Sequence, residues 1–108
     1  MALDLEDKTA NNNDLTNVNT VTEETVSLPF AASTSAADCE STSSQYLTAP
    51  DSASLSITGN LTLECWVKFE STPASGNLMM FLSKYNENAK RSYFFALWND
   101  VGTLRLRF

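Results

Sequence analysis

The feature that most constrains the fold of this 108-residue chain is the run Leu61-Thr62-Leu63-Glu64-Cys65-Trp66-Val67-Lys68-Phe69. Leu61, Leu63, Cys65, Val67 and Phe69 alternate with Thr62, Glu64, Trp66 and Lys68, and a period of two places one apolar row on one face of a β-strand. Gly59-Asn60 precedes the run, and Ser71-Thr72-Pro73 with Gly76-Asn77 follow it, so turn formers bound it on both sides. It is long enough to cross a whole sheet and carries large side chains on both faces. The spacing therefore predicts a central strand rather than an edge.

The flanking sequence reads as β throughout, with no convincing helix. Leu78-Met79-Met80-Phe81-Leu82-Ser83-Lys84-Tyr85 is a continuous apolar run of strand length, expected to be buried on both faces. Tyr93-Phe94-Phe95-Ala96-Leu97-Trp98 is a further strong strand, and Asn99-Asp100-Val101-Gly102 turns the chain into Thr103 to Phe108. In that last strand Leu104, Leu106 and Phe108 are expected inward and Arg105 and Arg107 outward. Upstream the signals weaken. Ala2 to Leu5, Ala36 to Glu40 and Gln45 to Thr48 are short strand candidates, and Leu15, Val18, Val21 and Val26 are sparse anchors that favour extended structure. Leu28-Pro29-Phe30 belongs at an edge or in a turn, because proline removes a ladder hydrogen bond. Strong strands joined by short turns imply an antiparallel sandwich.

Composition limits the function classes. The formal charge of −6 disfavours nucleic acid as a partner, because a binder of phosphates needs a basic face, and none is expected. The charge is divided, with nine acidic residues and one basic through Asn60 (−8) against four acidic and six basic from Leu61 (+2). Residues 1–35 read as a polar, acidic segment with weak strands, the start of the module or partly disordered, and 36–108 as the sandwich proper. No run approaches the roughly 20 apolar residues of a membrane span, and the acidic first residues do not resemble an export signal. Cys39 and Cys65 are read as two buried thiols, with a disulfide as the alternative. The chain has no His, so a Ser or Cys nucleophile lacks its usual base and zinc lacks two of four ligands.

Ser44-Gln45-Tyr46-Leu47-Thr48-Ala49-Pro50-Asp51-Ser52-Ala53-Ser54-Leu55, followed by Leu61-Thr62-Leu63-Glu64-Cys65-Trp66-Val67-Lys68, resembles the opening of the LamG-like (laminin G/pentraxin-like) modules of the concanavalin A-like lectin/glucanase superfamily. Leu82-Ser83-Lys84 and Gly102-Thr103-Leu104-Arg105-Leu106 are similar to the family's next strands. Cys39 stands where the family usually has Phe, and Cys65 where it usually has Ala. The resemblance implies an antiparallel jelly-roll β-sandwich, incomplete here because the family's module continues with more strands. An unpaired sheet edge and edge-strand self-association are then expected. It also implies a non-catalytic binding or adhesion module for a glycan or a surface protein, at an extracellular, cell or virion surface.

No cofactor is required for such a role. Calcium is the one cation the resemblance suggests, with Asp4, Asp7, Asn13 and Asp14 as candidate oxygen ligands, although an acidic loop is more often plain surface. Arg91 and Ser92 occupy the place where the pentraxin branch holds calcium. Glycan binding would use exposed aromatics as stacking platforms, and Trp66, Trp98, Tyr85 and Tyr93 are available, with Asn86, Asn88 and Asn99 in neighbouring loops. Trp66, Tyr85, Asn86 and Trp98 are the chosen set, against the alternative that large aromatics in a sandwich are core. Asn60-Leu61-Thr62 fits a glycosylation triplet, a pattern common by chance. The glucanases of the superfamily place two acids at alternate positions of one strand. Glu64 has Thr62, Trp66 and Lys68 as its same-face neighbours, and Asp38 and Glu40 flank Cys39 outside the family's catalytic stretch, so no enzyme is expected. A remnant of a glycoside hydrolase and a structural spacer are the alternatives.

Overall fold

The computed structural model describes residues 3–26, 35–86 and 90–108, with the side chains of Tyr85, Asn86, Lys90 and Arg91 outside that description. The fold is all-β with antiparallel sheets. Seven strands occur among the described residues: β1 (Thr16–Val18), β2 (Thr22–Thr25), β3 (Ser35–Asp38), β4 (Tyr46–Thr48), β5 (Leu78–Asn86), β6 (Lys90–Asp100) and β7 (Thr103–Arg107). Single turns of 3-10 helix at Ser41–Ser43 and Ala53–Leu55 are the helical elements among these residues, and no helix there is long and apolar enough to cross a membrane. The Leu28-Pro29-Phe30 stop lies outside the described residues. The chain divides into two compact units, Met1–Leu55 and Ser56–Phe108.

In the first unit β1 pairs with β4 and β2 with β3, both antiparallel. Few large apolar residues are available here, and polar side chains fix the backbone instead. Asn17 accepts from the Val21 N–H at 2.7 Å and donates to the Val21 carbonyl at 2.8 Å, pinning the buried Val21 between β1 and β2. Asn19 donates to the Ser44 carbonyl and Gln45 to the Thr20 carbonyl, each at 2.8 Å. The second bond satisfies a carbonyl of the turn whose Asn19 and Thr20 have φ of 60° and 63°, and the first ties that turn to Ser44. The expected strand at Ala2 to Leu5 is absent over Leu3 to Leu5, although the Leu5 carbonyl accepts from the Leu15 N–H at 2.8 Å.

The second unit is a meander in the order β5-β6-β7, with β6 in the middle. Its register places Leu97 between Met79 and Leu106, and Ala96 between Met80 and Arg107. Alternation along β6 then puts Phe95 and Leu97 on one face and Ala96 and Trp98 on the other. Ala96 and Leu97, at 0% and 6% exposure, are buried from both sides, as a central strand requires. On β5 the register slips between Met80 and Leu82, leaving Phe81 as the extra residue of a bulge. The Phe81 ring packs edge-on against Phe95 at 5.5 Å and tilted against Phe69 at 5.4 Å.

Three expectations are corrected. Residues 61–69 form no strand, and Leu61, Val67, Phe69 and Cys65 are exposed, with Leu63 half-buried. Alternation says which side chains share a face once a ladder exists, but it supplies no partner. The consecutive segments β5 and β7 occupy both edges of β6 by local pairing, which carries little loop-closure cost. The 61–69 segment instead reaches the meander through Phe69 on Phe81. β5 is not buried on both faces: as an edge strand it leaves Leu78, Met80 and Leu82 exposed. In β7 every residue is exposed, so Leu104 and Leu106 do not form an inward row, and Phe108, placed in that row by its spacing, lies past the strand and is exposed too.

Asn99 ties the end of β6 to its surroundings. Its side chain donates to the Pro73 carbonyl and accepts from the Gly102 N–H, both at 2.8 Å, while its carbonyl accepts from Gly76 at 2.8 Å. The β6–β7 hairpin turns through Val101 and Gly102, with φ of 47° and 91°. Two positive φ values in a two-residue loop match the twist of a hairpin and favour Asn-Gly. A β-branched Val in this region is strained, and at 86% exposure it gains no packing in return. Val101→Asn is therefore expected to stabilise the second unit by about 1 kcal/mol, read as a higher urea midpoint. An unchanged or lower midpoint would contradict the turn geometry.

Candidate functional site

Trp66 is 71% exposed and stands beside a shallow, open concavity lined by Leu63, Glu64, Cys65, Trp66 and Phe95. Of these, Phe95 comes from β6, where its ring packs against the Phe81 ring. The other four lining residues come from the 61–69 segment, where no ladder forms. Glu64 is the carboxylate at this concavity and is exposed.

Trp98 lies elsewhere. It is three residues from Phe95 on β6, hence on the opposite face, and the Arg107 guanidinium carbon stands 5.1 Å from its ring centroid. The two tryptophans do not form one platform. Tyr85 and Asn86 lie at the far end of β5, with their side chains outside the described residues, and Asn88 is also outside them. The Asn99 amide is spent on Pro73 and Gly102. Nothing in the alternation of the sequence distinguished Trp66 from Trp98. Their separation follows from Trp66 lying beside Phe95, a proximity between segments that the periodicity of one segment does not give.

In the first unit, Asp4, Asp7, Asn13 and Asp14 organise one loop. The Asp7 carboxylate accepts from the Thr9 N–H at 2.8 Å through one oxygen and from the Asn13 N–H at 2.9 Å through the other. Asp14 accepts from the Asp7 N–H at 2.8 Å, and Asn13 accepts from the Ser52 hydroxyl at 2.7 Å. Lys8 bridges Asp4 at 2.9 Å and Glu6 at 2.8 Å. These oxygens face N–H and O–H groups and an ammonium of the chain itself, so as arranged they do not present a cation with an open ligand set. The Lys8 hydrogen bond, then the Glu6 N–H, holds the Asp4 carboxyl below its ordinary range, and Asp4 and Glu6 push Lys8 up.

Cys39 and Cys65 are both exposed free thiols, correcting the expectation of two buried ones. Cys39 follows β3 into a polar turn, and Cys65 sits in the segment that lacks a ladder. Partial burial of the sulfur, then the Asp38 carboxylate, pushes the Cys39 thiol up, which makes it a poor nucleophile.

The Asp7 geometry has a pH consequence. The Asn13 N–H, then Thr9, favours the ionised form and lowers the carboxyl below its ordinary 3.8. A depressed carboxyl contributes stability that is complete above the ordinary value and is lost as pH falls through the folded one. The Thr9 and Asn13 amide resonances are expected to titrate with a midpoint below 3.8. A midpoint at or above 3.8 would mean the carboxylate does not hold the loop.

Comparison of the chain with family models, with curated proteins and with solved structures found no match.

Proposed function

We propose that this chain is a LamG-like, concanavalin A-like module with a jelly-roll sandwich as its fold family, and that it binds carbohydrate without chemistry through Trp66. The observation that carries the reading is the 71% exposure of Trp66 beside the concavity with Glu64 and Phe95. An indole face stacks on the C–H face of a sugar ring, and a carboxylate accepts from ring hydroxyls, which fixes orientation. Leu63 and Phe95 supply the apolar remainder of the contact. Glycoside hydrolysis needs two carboxylates flanking the bond, whereas among the described residues Glu64 is the one carboxylate lining this concavity, which favours binding over cleavage. The resemblance of residues 44–68 to LamG-like modules agrees with a role at a cell or virion surface.

A glycan array followed by fluorescence titration of the best hit tests this. Trp66→Ala is expected to weaken binding by about 1.5 kcal/mol, a factor of roughly ten. Trp98→Phe, on the opposite face, is expected to leave it unchanged. Absence of binding to every glycan, or equal binding by Trp66→Ala, would overturn the carbohydrate reading.

A further inference from the structure

Asn60 is the one asparagine of the chain with Ser or Thr two positions on, and the residue between them, Leu61, is not proline. Such a triplet accepts an N-linked oligosaccharide where the fold leaves it accessible. This fold does so. Asn60, Leu61 and Thr62 are all exposed, and no strand or helix occurs from Ser56 to Phe69. A triplet locked in a ladder could not be drawn into a transferase, and the central strand expected at 61–69 would have held Thr62 in one. Gly59 bends the chain just before the triplet, in open space: a Cβ there would meet nothing within 4 Å. We infer that Asn60 is a modification site that takes an N-linked oligosaccharide.

The side chains are as free as the backbone. Asn13, Asn17, Asn19 and Asn99 spend their amides on Ser54, Val21, Ser44 and Pro73. Among the described residues the Asn60 amide and the Thr62 hydroxyl make no such bond. Both groups that the chemistry needs are therefore available. The Asn60 Nδ2 attacks the anomeric carbon of a lipid-linked oligosaccharide diphosphate. A C–N bond forms as the anomeric C–O bond breaks, the lipid diphosphate leaves with the bonding pair, and Nδ2 gives up one proton to a base of the transferase. The Thr62 hydroxyl is the group by which the transferase recognises the triplet. The inference rests on the surface role proposed above, because the donor is met on the export route, but it does not depend on what Trp66 binds.

The test places a cleavable export signal ahead of the whole chain and synthesises it with endoplasmic-reticulum microsomes that glycosylate a control acceptor. Only the protease-protected, lumenal chain is read. It is expected to carry a single mobility shift that is lost on treatment with the amidase that releases N-linked glycans. Asn60→Gln and Thr62→Ala are each expected to abolish the shift, and Thr62→Ser, which keeps the hydroxyl, to retain at least part of it. A lumenal chain without the shift, or a shift that persists in Asn60→Gln, would overturn the proposal. Because the signal delivers the chain to the lumen, this outcome reads the acceptor alone, and the glycan array separately decides the carbohydrate reading.

Discussion

Pairing of β6 on both edges is the constraint on which the second unit depends. A strand in the middle of a sheet has its backbone groups satisfied by neighbours and needs its faces covered. β6 meets the first condition through β5 and β7, and the second is met most fully at Ala96 and Leu97. Everything else in the unit is placed relative to this strand. Phe81 bulges out of β5 onto Phe95, Phe69 follows onto Phe81, Arg107 lies over Trp98, and Asn99 fastens the 73–77 loop and the hairpin turn to the strand end. The exposed Trp66 is a consequence. It sits in a segment that touches the meander through side chains and is not held flat in a sheet.

The first unit solves the same problem with little apolar material. Val21 is its buried hydrophobic residue among those described, and amides and carboxylates take over the task of fixing the backbone. Asn17, Asn19, Gln45, Asp7 and Asp14 each bond main-chain groups of loops or turns. The acidic, Asn-rich composition of this half is thereby accounted for as local structure: Asn and Asp bond nearby backbone and tolerate the positive φ seen at Asn12 and Asn19.

Much of the strand content was legible because it rests on local signals. Apolar runs bounded by turn formers correspond to β5, β6 and β7, Val101 and Gly102 turn the chain within the expected Asn99 to Gly102 stretch, and Ser35–Asp38 and Tyr46–Thr48 appear within two residues of the short strands read from the sequence. The all-β class follows from the same signals. Partner choice was not legible. Leu61 to Phe69 has the cleanest alternation in the chain and no ladder, and β5 has a doubly apolar pattern on an edge, because pairing is decided between segments while periodicity belongs to one. The candidate site shared this fate. Trp66 was a candidate by residue type, but its separation from Trp98 depends on the 61–69 segment lying beside Phe95, on the face of β6 opposite Trp98.

The central claim is that β6 carries the order of the second unit and that 61–69 lies against the meander without a backbone ladder. Native-state amide hydrogen exchange tests it directly. Amides of Phe94 to Asn99 are expected to exchange slowest, near the rate set by global unfolding, and those of Thr62 to Phe69 at least about a hundredfold faster. Protection across Thr62 to Phe69 equal to that of β6, alternating with the period of a strand, would contradict the account and restore this run as a paired central strand.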